Sequence, residues 1–192
     1  MTPHAVILVE GRSDAIAVCT LARLRGRDLA DERVAVIAAG GAQAMGRFLA
    51  AYGPVGTNTT VCGLCDAGEE PDVRRALARA GLSPAQGRAG LEALGFFVCE
   101  RDLEDELVRG LGVAATEALL DAHGKLGAFR TYQKQPSHRA RAALDQLRGF
   151  LNNWKIELAG PLVEALDPAR VPRPLDGVLA SSDRPGRHPS GW

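Results

Sequence analysis

The chain lacks any apolar run long enough to cross a membrane, which excludes a helical span. It shows no signal-peptide anatomy either: the first apolar run, Ala5-Val6-Ile7-Leu8-Val9, leads directly into Glu10-Gly11-Arg12-Ser13-Asp14. A cytoplasmic protein is the expectation. Cysteine is sparse, at Cys19, Cys62, Cys65 and Cys99. Cys62-Gly63-Leu64-Cys65 has the spacer of a zinc half-site, but no second Cys or His pair follows at finger spacing, and positions i and i+3 of a strand face opposite sides. The better reading is buried structural thiols in a reducing compartment. The four histidines, His4, His123, His138 and His188, have no ligand spacing, and no Ser or Cys triad is supported. The first strand is not followed by a Gly-x-Gly-x-x-Gly turn, which disfavours a dinucleotide site.

What is present is a chain of 192 residues, 46% hydrophobic and 24% charged, enough for one domain of ordinary size with a real core. Three apolar runs end on carboxylates. The first ends at Glu10; Thr60-Val61-Cys62-Gly63-Leu64-Cys65 ends at Asp66; Leu94-Gly95-Phe96-Phe97-Val98-Cys99 ends at Glu100, with Asp102 and Glu104 close behind. Short apolar runs bounded by turn signals read as buried strands, and the segments between them as helices, so an α/β sheet is expected. Ligands of such sheets bind beyond the carboxyl ends of the strands. Acids delivered there by separate strands repel one another unless a cation sits among them, which points to Mg²⁺ or Mn²⁺.

Ser13 or Asp14 is placed to cap a helix reaching about Leu24. Arg33 to Ala39 reads as a strand around Val34-Ala35-Val36-Ile37-Ala38 that ends at Gly40-Gly41, before a helix carrying Met45, Phe48 and Leu49. Pro71 opens a helix to about Ala80, and residues 81–90 read as a loop. Helices are then expected at about 103–110, 113–123, 139–150 and 155–166, with a break at Gly160-Pro161. The expected organisation is an α/β domain over residues 1–112, a helical extension over 113–180 and a disordered tail over 181–192.

A formal net charge of zero hides a local asymmetry. Between residues 125 and 155 stand Lys125, Arg130, Lys134, Arg139, Arg141, Arg148 and Lys155, against Asp145 alone. Phe129, Tyr132, His138, Phe150 and Trp154 are interleaved among them. The mixture suits contact with a nucleic-acid backbone and some base stacking. A solvated helical face with an apolar underside is the plainer alternative.

Val9-Glu10-Gly11-Arg12-Ser13-Asp14, a strand followed by Glu-Gly and an Asp four residues after the Glu, resembles the opening motif of Toprim domains, the metal-binding fold shared by topoisomerases, primases, RecR-like proteins and several nucleases. Leu64-Cys65-Asp66-Ala67-Gly68-Glu69 matches the place of the family's Asp-x-Asp motif, with Gly68 where the second Asp is usual. Phe97-Val98-Cys99-Glu100-Arg101-Asp102-Leu103-Glu104 looks most like the Toprim nuclease domain of the OLD (overcoming lysogenization defect) endonucleases. The resemblance covers roughly residues 4–110 and weakens toward 180. It implies a Rossmann-type parallel sheet of about four strands flanked by helices, with a helical C-terminal extension. It also implies an assisting Lys on the helical segment, for which Lys155 is the candidate. OLD proteins usually carry an ATPase, but no Gly-x-x-x-x-Gly-Lys-Ser/Thr loop occurs in this chain.

The function expected from this resemblance is a stand-alone nuclease that hydrolyses phosphodiesters, DNA before RNA, with Mg²⁺ or Mn²⁺. A small Toprim ribonuclease and a non-catalytic RecR-like binding module are the alternatives, and a separate ATPase or helicase is a further partner to consider. Two divalent ions roughly 4 Å apart activate water and stabilise a leaving oxygen in such chemistry. The candidate ligands are Glu10, Asp14, Asp66, Asp102 and Glu104, with Glu69 or Glu70 substituting at the position lost to Gly68. Glu10 and Lys155 are the candidate catalytic groups; Arg130, Lys134, Arg139, Arg141 and Lys155 are the candidate nucleic-acid contacts. Plainer readings stand beside these. Asp14 can serve as a helix cap, Glu69 and Glu70 can favour a helix N-terminus, Asp102 and Asp105 can make a capping arrangement, Asp105 can pair with Arg109, and Glu106 can be solvated.

Overall fold

The computed structural model describes residues 2–57 and 59–184, and only the backbone of Ala42 and Gln43. Four parallel strands form the centre: β1 (Ala5–Val9), β2 (Val34–Ala38), β3 (Thr60–Asp66) and β4 (Phe96–Cys99), in the order β2-β1-β3-β4. Ala5 pairs with Val34 on one side and Thr60 on the other, and Gly63 pairs with Phe96. The chain leaves β1 toward β2 and then returns to add β3 on β1's other edge. The strand order therefore reverses between β1 and β3, where open α/β sheets form a crevice at the strands' carboxyl ends.

Strand alternation divides the core into two layers. Ala5, Ile7, Val9, Cys62, Leu64, Phe97 and Cys99 pack on one face, while Val6, Leu8, Cys65, Phe96 and Val98 pack on the other. Cys62 and Cys65 thus lie on opposite faces, both buried, as the strand period requires, whereas Cys19 is exposed. The second face is covered by α2 (Ala42–Tyr52), α3 (Glu70–Arg79) and α4 (Gly87–Ala93), through Met45, Leu49, Val73, Leu77 and Leu91. The first face is covered by α1 (Arg12–Leu24), α5 (Leu103–Leu111) and the remaining helices: α6 (Val113–Ala122), α7 (Leu126–Lys134), α8 (Ala143–Leu151), α9 (Lys155–Glu164) and α10 (Arg173–Ser181). None of the described helices is long and apolar enough to cross a membrane.

The helical segment beyond residue 112 shares one continuous core with the sheet: Leu120, Phe129, Leu151, Leu162 and Leu179 belong to the same cluster as Ile7 and Val18. Helix α9 lies along α1, and α10 lies on β3 and β4. Gly160 marks the close approach, since a Cβ there would stand 3.4 Å from the Thr20 hydroxyl. Helix α9 passes through Gly160 and Pro161 without the expected break. Pro161 removes one hydrogen bond, but Leu158, Leu162 and Val163 are buried on the same packed face, and this tertiary gain holds the helix together.

Three further expectations change. Part of the loop over 81–90 is helix α4, anchored by buried Leu91, and the stretches now seen as α7 and α10 are additional helices. Ser181 to Arg184, expected in the tail, have a described structure. Ser181 closes α10, and Arg27 donates to the Leu179 carbonyl and the Ser182 hydroxyl, each at 3.1 Å, so this end of the chain is tied to the α1–β2 connection. Residues 185–192 lie outside the described residues.

Helix α10 sits on β4 at Gly177, where a Cβ would come 2.2 Å from the Phe97 ring. Gly177→Ala is therefore expected to destabilise the fold by about 1–3 kcal/mol through overpacking. Urea unfolding checks this, and an unchanged midpoint would mean that α10 does not pack against the sheet at this distance.

Candidate metal centre

The crevice between β1 and β3 gathers acids from four segments. Glu10 follows β1, and its carbonyl accepts the N–H groups of Gly40 at 2.9 Å and Gly41 at 3.4 Å. The two glycines have φ of +82° and +108°, so this tight turn into α2 explains them. Asp14 is the third residue of α1, and its carboxylate accepts the Gly11 N–H at 2.8 Å, so it caps the helix while facing the crevice. Asp66 is the last residue of β3, and Glu69 ends the short 3-10 turn Ala67–Glu69 that follows. Asp102 caps α5 by accepting the Asp105 N–H at 2.8 Å, and buried Glu104 sits in the first turn of that helix.

Mutual repulsion and burial show in the acidities of these groups. The Glu10 carboxyl is pushed up to about 7 by burial, by a hydrogen bond with Glu69 and by the charges of Glu69 and Asp14; Lys155 opposes the shift. Asp66 is pushed up to about 8 by burial and by Glu10, Asp14, Asp102 and Glu104. Asp14 is raised by burial and by Glu69 and Asp102, against the Gly11 N–H and Lys155. Burial also raises Glu104, with Asp14 and Asp102 adding to it and Lys155 opposing. Glu10, Asp14, Asp66, Glu69, Glu104 and Lys155 therefore form one electrostatic unit, with Lys155 arriving from α9, far along the chain.

Not every candidate is free to join that unit. Glu70 turns away from the crevice toward Arg74, at 2.8 Å, and Arg88, at 3.9 Å, because α3 and α4 present these guanidinium groups on its own side. Asp102 adjoins the crevice, but its second oxygen accepts from Arg148 Nε at 2.6 Å. Arg148 lies on α8, and nothing in its local sequence signals this pairing across 46 residues. Asp105 pairs with Arg109 at 2.9 Å. Glu106, expected in solvent, is buried, where it accepts the Glu100 N–H at 2.8 Å and pairs with Arg109.

The basic segment also rearranges. Arg130 forms a bidentate pair with Glu117, at 2.8 and 2.7 Å, so much of its charge is spent within the protein. Lys125 pairs with Glu157 at 2.9 Å and lies 3.6 Å over the Trp154 ring. Phe129, Phe150, Tyr132 and Trp154 pack against one another, with Phe129 and Phe150 buried, so these rings form a core and do not offer a stacking platform. Lys134, Arg139, Arg141 and Lys155 remain exposed.

The donor set in the crevice is all carboxylate, the chemistry of Mg²⁺ or Mn²⁺ and not of a thiolate metal. Cys65 and Cys99 lie beneath it, but their thiols are raised, Cys65 to about 12, chiefly by burial, and both belong to the core. No group of three or more His, Cys, Asp or Glu is arranged as a finished cation cage among the described residues. The Glu10–Glu69 contact brings two carboxyl groups within hydrogen-bond reach, where their negative charges repel. A divalent ion relieves the same repulsion, and so these side chains fit one.

A four-stranded parallel sheet with helices on both faces and acids at its switch point defines a Toprim-like α/β fold. Residues 3–66 match the family model described as "Overcoming lysogenization defect protein-like, TOPRIM domain", a span that includes Glu10, Asp14 and Asp66 and stops short of Gly68. The fold is that of the C-terminal region of OLD proteins. The Xanthomonas campestris structure shares 21% identity at a TM-score of 0.72, covering 93% of this chain and 91% of that one. The Burkholderia pseudomallei structure shares 18% identity at a TM-score of 0.70, covering 95% and 98%. No curated protein matches the chain.

The raised acids fix a pH dependence. A carboxyl whose folded pKa is raised contributes stability that is fully present below its unfolded pKa and lost as pH rises through the folded value. Without divalent ions the melting temperature is therefore expected to fall between about pH 5 and pH 8, following Glu10 at about 7 and Asp66 at about 8. Millimolar Mg²⁺ or Mn²⁺ should restore it at the alkaline end, and Glu10→Ala should remove that restoration. Thermal melts with metal and with chelator make the measurement; identical curves would dissolve the cluster.

Proposed function

We propose that the chain is a metal-dependent nuclease that hydrolyses phosphodiester bonds, DNA in preference to RNA, in the cytoplasm. The observation that carries this reading is the convergence of Lys155 with the strand-end acids: a lone ammonium from α9 acts on Glu10, Asp14 and Glu104 at once. The carboxylates would hold a cation that activates water. An added ammonium supplies what a phosphodiester needs beside the cation, a positive charge facing its non-bridging oxygens.

Glu10, Asp66 and Glu69 would hold the ion, with Asp14 and Glu104 completing the charge around it. A bound Mg²⁺ or Mn²⁺ supplies Lewis acidity toward the phosphate and a means of activating water. Lys155 offsets charge that develops on the scissile group. Glu10, at the end of β1 beside the ion, would be placed to accept the proton of an attacking water. Lys134, Arg139 and Arg141 would carry the nucleic-acid backbone, and a separate ATPase or helicase would be the protein partner.

Gly68 favours a second reading, a non-catalytic RecR-like module that binds nucleic acid, since the usual second Asp is missing. A Cβ at Gly68 would meet nothing within 4 Å, so the position is open and not structurally reserved for glycine. Glu69, hydrogen-bonded to Glu10, supports the catalytic reading by supplying a carboxylate at the neighbouring place.

Plasmid nicking in Mn²⁺ separates these readings. The native chain is expected to cut, Glu10→Gln to abolish cutting, and Lys155→Ala to slow it about a hundredfold while leaving the metal-induced melting shift intact. Tight binding without any cutting would establish the binding module, and cutting of RNA alone would establish the ribonuclease.

Affinity for DNA should fall steeply with salt, and replacing Arg139 and Arg141 with Ala should weaken it and flatten the log–log slope by up to about 2. Binding titrations across salt concentrations test this. A slope untouched by the double change would place the nucleic acid on another face.

A further inference from the structure

A second concavity lies at the opposite end of the sheet, about 20 Å from the crevice along the seven residues of β3. It is a cavity of about 60 Å³, open to solvent, where the start of β3 meets Gly53 and Pro54 after α2, Gly95 before β4 and the end of α10. Val61, Leu82 and Leu94 supply apolar wall, and Arg184 is the one charged group among the described residues that line it. Ser181 lines it too; it is 1% exposed, and its hydroxyl has no hydrogen-bond partner among the described residues. Ser182, equally buried, donates to the Leu179 carbonyl at 2.7 Å and accepts from Arg27 at 3.1 Å. Buried polar groups are ordinarily paired, so the unmet hydroxyl is particular to the residue that faces the cavity. The Arg184 guanidinium reaches only the Glu92 and Ala93 carbonyls, each at 3.5 Å, while its backbone N–H donates to the Ser181 carbonyl at 3.3 Å. The neighbouring acids are taken, Asp183 by Arg27 and Glu92 by Arg173.

We infer that this cavity binds a small carboxylic acid with a short aliphatic body, the body seated against Val61, Leu82 and Leu94 and the carboxylate accepting from Ser181 and Arg184. A neutral apolar molecule would leave both the hydroxyl and the guanidinium unmet. Water alone is poorly held, because the other hydroxyls of this wall are already engaged: Thr60 donates to the Arg184 carbonyl at 3.0 Å, and Thr59 shares a hydrogen bond with Thr57 at 2.7 Å. A carboxylate answers both groups with charge-assisted hydrogen bonds, and its hydrocarbon leaves water for the apolar wall. The volume sets the size of the body at about three or four carbon atoms, given that a cavity of about 150 Å³ takes a benzene ring. The assignment is independent of the metal reading, since none of the crevice acids lines this cavity.

The probe is 3-methylbutanoate, offered to the full chain after removal of divalent ions so that it cannot ligate a metal at the crevice. Saturation-transfer NMR and thermal melts are expected to show saturable binding with a Kd of about 1 mM. Arg184→Gln and Ser181→Ala are each expected to weaken it about tenfold, and 3-methylbutan-1-ol, which has the same body without the charge, to bind about tenfold more weakly than the acid. Without ligand, Ser181→Ala should hold or raise the melting temperature, because it deletes a buried hydroxyl that has no partner. No binding of the acid at about 20 mM, or an alcohol that binds as tightly as the acid, would overturn the inference. So would an affinity unchanged in either variant, or a melting temperature lowered by Ser181→Ala, which would mean that the hydroxyl is already satisfied. Should Ser181→Ala fail to fold, Arg184→Gln decides alone, since Arg184 is exposed and its loss leaves the core intact.

Discussion

Like charge held in a half-buried crevice is the constraint on which the rest of the molecule depends. A parallel sheet points all its strand ends one way, and the order β2-β1-β3-β4 brings the ends of β1 and β3 side by side. Glu10 and Asp66 are thereby placed next to each other, with Asp14 and Glu104 supplied by the helices that follow β1 and β4. Removing them from water and packing them together raises each one's acidity threshold, and every such shift is folding energy withheld when the groups ionise. Something must compensate, and most of the compensation comes from outside the sheet.

The C-terminal helices supply it. Lys155 and Arg148 stand on α9 and α8, well beyond the last strand, and are carried to the crevice because α9 lies along α1 and α8 packs on α5. Removing Arg148 would leave the Asp102 carboxylate uncompensated at a poorly solvated site, and Asp102 is the helix cap from which Glu104 emerges. The segment beyond residue 112 is therefore bound to the sheet by two kinds of force, a shared apolar core and charges complementary to the crevice.

The sheet was legible because each buried strand is a short apolar run ended by a turn, and a carboxylate right after such a run is conspicuous. Glu10 and Asp66 stand out by position at the strand ends, whereas Asp14 and Glu104 are picked out by the Toprim resemblance. Long-range pairing could not be read in either way. Whether Asp102 faces a cation or a guanidinium depends on the packing of α8 against α5, and Glu70 and Glu69 are chemically identical neighbours separated only by the side of the 3-10 turn they leave from. The aromatic residues between 125 and 155 obey the same limit: Phe129 and Phe150 look available in a basic stretch, but α7 and α8 meet through them. Helix α10 is hard to see in the sequence because Pro172 and Pro174 stand at its start as turn signals, and its apolar residues Leu175, Val178 and Leu179 acquire meaning only against β3 and β4.

These aromatic residues also bear on the site. Trp154 immediately precedes Lys155, packs toward Phe150 and carries Lys125 over its ring, so the aromatic core fixes the point at which α9 begins. Lys155 is the first residue of that helix, where the macrodipole is positive and an ammonium is locally unfavourable. A cation at such a place needs negative charge nearby to offset the dipole. Glu10, Asp14 and Glu104 provide it, and in turn the ammonium lowers their mutual repulsion. The helix start that looks wrong by local rules is thus consistent with the crevice it faces, and the aromatic residues act on the site by setting where the lysine stands.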